Sequence, residues 1–204
     1  MRCSAAVAQL LLLCLVLFPV TPAQAEIILY DDRETFMEAL FSQQAYLDNF
    51  ENLANGYYAD PIVRSPDTEF EYSLASSSIV GLMAEDLLVS TILPKSIIQL
   101  AANAVQAIGG EFGLTDFEGT PIGGDLRITL QDGSVITRSI SDSTVFIGVI
   151  GVGEDVTSLM VGAAANAPLV TVASIVVAVP GPGALPVMLL TTLLIGRSRK
   201  LRRH

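Results

Sequence analysis

Two alternating runs, Leu126-Arg127-Ile128-Thr129-Leu130 and Val135-Ile136-Thr137-Arg138-Ser139-Ile140, flank the tetrapeptide Gln131-Asp132-Gly133-Ser134. A period of two turns one side chain toward a buried face and the next toward water, and Asp-Gly between such runs is the signature of a tight hairpin. Half-buried hairpins must stack their apolar faces on a second sheet, so this pattern restricts the fold before anything else is known. Further strand expectations are Ile27–Tyr30, Glu69–Leu74, Leu87–Leu93, Ile97–Ala101, Val105–Ile108, Val145–Ile150, Val156–Val161 and Leu169–Val179. Roughly ten short strands at this spacing predict a mainly all-β chain, an antiparallel β-sandwich of jelly-roll type. One short helix is expected over Arg33–Gln43, N-capped by Asp32, because Phe36, Leu40 and Phe41 recur at helical spacing. The stretch Ile97–Ile108 is apolar and free of breakers, so periodicity leaves strand and helix both open there.

The ends of the chain are organised differently. Arg2, the apolar run Ala5–Val20, the helix breakers Pro19 and Pro22, and the small-x-small triplet Ala23-Gln24-Ala25 form the pattern of a cleavable signal peptide. Removal by signal peptidase after Ala25 makes Glu26 the first residue. It also removes Cys3 and Cys14, the only two cysteines, so disulfide and thiolate chemistry are not expected in the mature chain. At the other end, Ala184–Gly196 is a short apolar helix candidate followed by Arg197, Arg199, Lys200, Arg202 and Arg203. This span is short for a lasting membrane crossing, and the basic cluster after it favours a cytoplasmic C-terminus. Three segments are therefore expected: 1–25 signal peptide, 26–179 ectodomain, 180–204 C-terminal signal.

Charge is distributed to match. All 21 acidic residues lie between Glu26 and Asp155, and only Arg33, Arg64, Lys95, Arg127 and Arg138 oppose them there. So acidic a domain is a poor partner for nucleic acid, which is bound by neutralising phosphates with Lys and Arg.

The ordered set Val179-Pro180-Gly181-Pro182-Gly183, short apolar helix and arginine-rich end resembles the PEP-CTERM sorting signal, which is read by exosortase-type membrane proteases. Gly181 stands where that family usually has Glu. The resemblance implies export, a transient membrane-inserted intermediate with its N-terminus outside, cleavage near Pro182, and release to the cell surface or extracellular matrix. The middle is similar to ectodomains found before this signal, over Asp48-Asn49-Phe50-Glu51-Asn52, Leu88-Val89-Ser90-Thr91, Ala107–Phe112, Thr115–Gly119, the 124–140 hairpin and Phe146-Ile147-Gly148-Val149. That likeness implies a jelly-roll-like sandwich akin to carbohydrate-binding modules, with extracellular polysaccharide as a partner. An ordinary inner-membrane anchor holding a periplasmic domain is the alternative reading of the tail.

No catalytic constellation is expected. The single histidine is the terminal His204, which leaves only carboxylate chemistry. No cofactor is required by the sequence. Calcium takes carboxylate and backbone oxygens, and Asp116 with Glu118 beside Gly119, or Asp48 with Glu51, are the candidate ligands. The same acids also read as turn formers. Tyr57 and Tyr58, after Asn55-Gly56, are candidates for a sugar-contacting loop, or for side chains packed on the sandwich edge.

Overall fold

The computed structural model describes residues 26–181 apart from 42, 153 and 165–167. Two antiparallel sheets are stacked on a shared apolar interior. The larger takes, in spatial order, β1 (Glu26–Tyr30), β12 (Val145–Val152), β9 (Ala107–Thr115), β14 (Leu169–Pro180), β7 (Leu88–Thr91), β6 (Leu82–Glu85) and β3 (Gly56–Tyr58). An eighth strand, β2 (Gln43–Asp48), pairs with the C-terminal half of β14. The smaller sheet runs β11 (Val135–Ile140), β10 (Gly124–Leu130), β13 (Val156–Ala163), β8 (Ile97–Val105), β5 (Tyr72–Ser76) and β4 (Ile62–Arg64).

The expected hairpin is present, with Thr129 opposite Val135 and Gly133 at positive φ. The open stretch is strand throughout. It divides at Gln106, whose backbone bonds to Ala178 and Gly151 as the chain passes from the smaller sheet into the larger. Four strands escaped the sequence reading: β2, β3, β4 and β6. All but β2 span only three or four residues, too few for a period to show.

Several boundaries differ from expectation. The Glu69–Leu74 strand starts three residues later, at Tyr72, because the preceding residues close a turn. There the Asp67 N–H donates to Glu71 and the Thr68 hydroxyl donates to the Ser65 carbonyl. The helix, α1 (Arg33–Ala39), is capped as expected by Asp32, which accepts from the Thr35 N–H at 2.8 Å. It stops before Gln43 because residues 43–48 pair with β14, and Phe41 is left exposed. At the far end, β14 continues through Pro180, whose missing N–H is tolerated on the last rung opposite Gln43.

The larger sheet is buried on both faces over part of its area. Inward, Val170, Val172, Ile175, Val177 and Val179 of β14 join the interior. Outward, Val176 and Ala178 meet Phe36 and Leu40 of α1, with Ala107, Phe146 and Ile150. Val172 and Ile175 both point inward although three residues apart. A bulge between Val172 and Ser174 resets the alternation and makes this possible. The helix seats on glycine. Gly109 and Gly148 are directly opposed across β9 and β12, and a Cβ at Gly148 would lie 2.5 Å from the Phe36 ring.

Near the end of β2 a buried polar clasp ties the two sheets. Asp48 accepts from Arg64 Nε at 2.7 Å and Nη2 at 3.0 Å, from the Tyr72 hydroxyl at 2.8 Å and from the Phe50 N–H at 2.9 Å. Arg64 and Tyr72 are cross-strand partners on β4 and β5, whereas Asp48 belongs to the larger sheet. The Arg64 guanidinium also lies over the Phe50 ring, 6.0 Å from its centroid. Burial alone would raise the Asp48 carboxyl, but the hydrogen bonds from Arg64, Phe50 and Tyr72 outweigh it and hold Asp48 below its ordinary 3.8. Burial first, and then the Asp48 charge, push the Tyr72 phenol well above its ordinary value.

Two expected outcomes follow from this packing. Gly148→Ala should cost about 1–3 kcal/mol in a denaturant melt, since the added methyl group must displace Phe36 from a filled site. Asp48→Asn should cost about 3 kcal/mol at neutral pH by leaving the Arg64 charge poorly matched. Because the Asp48 pKa is lowered on folding, its stabilisation is present above the unfolded value of about 3.8 and is lost as pH falls through the folded value. The wild type should therefore lose more stability between pH 5 and pH 2 than Asp48→Asn does, measured by urea melts at each pH.

Candidate functional site

Alternation and register place one row of side chains across the outer face of the larger sheet, on the half that α1 leaves uncovered. Gly113 of β9 opposes Thr171 of β14, which opposes Ser90 of β7, then Met83 of β6, then Tyr57 of β3. Four strand spacings make this row roughly 19 Å long. In the neighbouring row Glu85 opposes Leu88. The loop after β9, Asp116-Phe117-Glu118-Gly119, stands along one side and turns the face into a groove.

Two adjoining cavities of about 260 and 310 Å³ occupy this groove. Both are lined by Glu85, Ser90, Thr115, Glu118 and Gly119; Asp86, Leu88 and Thr171 complete one, while Met83, Asp116 and Phe117 help to line the other. Thr115 and Thr171 are 6% and 4% exposed as whole residues, while their hydroxyls are not among the buried unpaired polar atoms and open to the cavity. Both line the cavity, where a ligand would supply a partner. Large apolar side chains surround the same place: Phe117 is 68% exposed, Tyr57 52% and Leu87 51%, with Met83 and Leu88 beside them. Apolar groups gathered beside such hydroxyls mark a surface built to meet something.

The walls are held by local backbone chemistry. Asp116 accepts from the N–H groups of Glu118 at 3.0 Å and Thr120 at 2.8 Å through one oxygen, an Asx turn that lifts Phe117 and Glu118 into position. The β6–β7 hairpin turns on Asp86 and Leu87, at φ 47° and 67°. Positive φ at both central residues suits a two-residue hairpin but is costly for leucine. The strained turn places Asp86 and Leu87 at the rim.

The sequence candidates sort clearly. Asp116 and Glu118 lie together on the groove wall. Tyr57 and Tyr58 are separated by the pleat: Tyr57 faces out beside Met83, while Tyr58 packs on the interior and donates its hydroxyl to the Ala54 carbonyl at 2.7 Å. Asp48 and Glu51 do not converge. Asp48 is spent on the clasp, and Glu51 is exposed and accepts from the Asn49 amide. Among the described residues no group of three His, Cys, Asp or Glu side chains is placed to hold a metal ion. Of the residues expected to form a sorting motif, Val179 and Pro180 end β14, with Val179 buried, and Gly181 is buried just beyond. Pro182 and Gly183, the expected signal-cleavage residues Ala23 and Ala25, and the basic residues Arg197, Arg199, Lys200, Arg202 and Arg203 lie outside the described residues.

Sequence reasoning passed over Met83, Ser90, Thr115 and Thr171. The available signal was the short polar-apolar alternation of Met83 to Glu85 and Leu88 to Ser90 around an acidic turn, which only a known strand order joins to residues 115 and 171.

No family model matches the chain, and no curated protein matches it. Among solved structures, a mutant family 29 carbohydrate-binding module complexed with mannohexaose is similar at 11% identity and a TM-score of 0.37, over 68% of this chain and 94% of that one. A second mutant module of that family gives 14% and 0.35 over 68% and 94%. A mutant complexed with cellulohexaose gives 10% and 0.35 over 67% and 93%. Identities and scores this low say nothing of what the present chain binds.

Proposed function

We propose that this chain is an exported, non-catalytic protein of the cell surface or extracellular matrix, with a jelly-roll-like ectodomain that binds polysaccharide along the outer groove. The observation that carries this reading is the groove itself: the long row Thr171–Ser90–Met83–Tyr57 beside the 116–119 loop. A pyranose ring offers an apolar C–H face and a rim of hydroxyls. Tyr57, Phe117 and Met83 offer apolar surface to the face, while Thr115, Thr171 and Ser90 can exchange hydrogen bonds with the rim. The length of the row suits an oligosaccharide rather than one sugar.

Export and sorting rest on the terminal segments. The pattern ending at Ala25 and the Val179–Gly183 motif before a basic tail are the features of a chain translocated, held briefly and cut.

Binding is tested on the full chain by affinity electrophoresis through gels containing soluble polysaccharides. Retardation by at least one β-linked polymer is expected, and Tyr57→Ala should weaken it about tenfold, a loss of ~1.4 kcal/mol. Tyr58→Phe, which alters only an inward tyrosine, should not. Absence of retardation by every polymer tried would overturn the reading. Processing is tested by intact mass of the protein recovered from a host with an exosortase-like protease. Loss of residues through Ala25 and from about Pro182 is expected; an intact C-terminus in the membrane fraction would favour the anchored periplasmic form instead.

A further inference from the structure

The groove carries a charge pattern that narrows its ligand further. We propose that it selects cationic polysaccharide, a polymer bearing free amino sugars, over neutral and anionic ones; this rests on the polysaccharide reading above. Glu85, Asp86 and Glu118 line the cavities, and among the described residues no side-chain or backbone donor engages their carboxylates. No Lys, Arg or His is among the lining residues. Elsewhere on the larger sheet, Arg33 donates to Glu111 at 3.2 Å.

Three unmatched carboxylates around one ligand site form a field that neutral hydroxyls satisfy only weakly. Polyuronates and sulfated glycans would add like charge to it. Protonated amines spaced along a sugar chain would instead be drawn in and would donate charge-assisted hydrogen bonds. The hydroxyls of Thr115 and Thr171, which open to the cavity beside these acids, provide the neutral contacts that fix the ring between the charges. The geometry thus combines an apolar platform, neutral hydroxyls and an acidic rim, and of the common sugar polymers only an amine-bearing one engages all three.

The test compares three soluble polymers of matched length against the full chain by equilibrium binding, at a pH where amines are protonated. The probes are poly-β-1,4-glucosamine, its fully N-acetylated counterpart and polygalacturonate. Poly-glucosamine should bind about tenfold tighter than the acetylated polymer, polygalacturonate should not bind, and the preference should shrink as salt rises. Glu85→Gln with Glu118→Gln should bring the amine-to-acetyl ratio to within about twofold. The matched charge loss Glu69→Gln with Asp155→Asn, away from the groove, should leave the ratio in place. Equal affinity for the two hexosamine polymers overturns the selectivity and leaves the groove as a neutral-glycan site. A preference that survives the Glu85/Glu118 change also overturns it, since the preference then belongs to the acidic surface as a whole. No binding to any polymer overturns both readings together.

Discussion

The structure depends on one strand that has no solvent-facing side for most of its length. β14 is apolar inward and, from Val176 on, apolar outward as well, so it needs a sheet below it and a helix above it. The bulge at Val172–Ser174 reconciles these demands: before it the outer face carries Thr171, after it Val176 and Ala178. One end of the larger sheet is therefore closed by Phe36 and Leu40, and the other is left open as a groove. The cover and the groove are two outcomes of a single phase change in one strand.

The polar groups inside the sandwich follow the rule that a buried charge must be matched. Asp48, on the larger sheet, accepts four hydrogen bonds, and its donors come from the smaller sheet and from the loop that leaves β2. Such a cluster adds little net stability over an apolar one but is strict about position. It fixes where the short β4–β5 ribbon sits relative to β2, an alignment that greasy contacts alone would leave loosely specified. The groove acids obey the opposite logic. They stand at the surface, without partners, next to apolar side chains.

Much of the fold was legible because its strongest elements are periodic or punctuated. The 124–140 hairpin announces itself by alternation and Asp-Gly, and Asp32 marks the helix start by its ability to accept from Thr35. The three- and four-residue strands β3, β4 and β6 were not legible, because so short a run carries no period. β2 shares only Gln43 with the expected helix and went unread because its exposure does not alternate along the strand. The site was legible only in fragments. Asp116 and Glu118 could be named from one loop, and Tyr57 from another, yet the row that joins them to Ser90 and Thr171 is a property of strand order. Asp48 misled for an instructive reason: an acid near a turn reads alike whether it waits for an ion or already holds an arginine.

The place of β14 in the chain also has a consequence in time. It is the last strand among the described residues and the middle strand of the larger sheet, with β9 along one edge and both β2 and β7 along the other. Until residues 169–180 arrive, β2 and the β3–β6–β7 ribbon have no route into that sheet, and their contacts are among the most distant in sequence. A product cut short before β14 would lack the strand that joins the halves of the larger sheet.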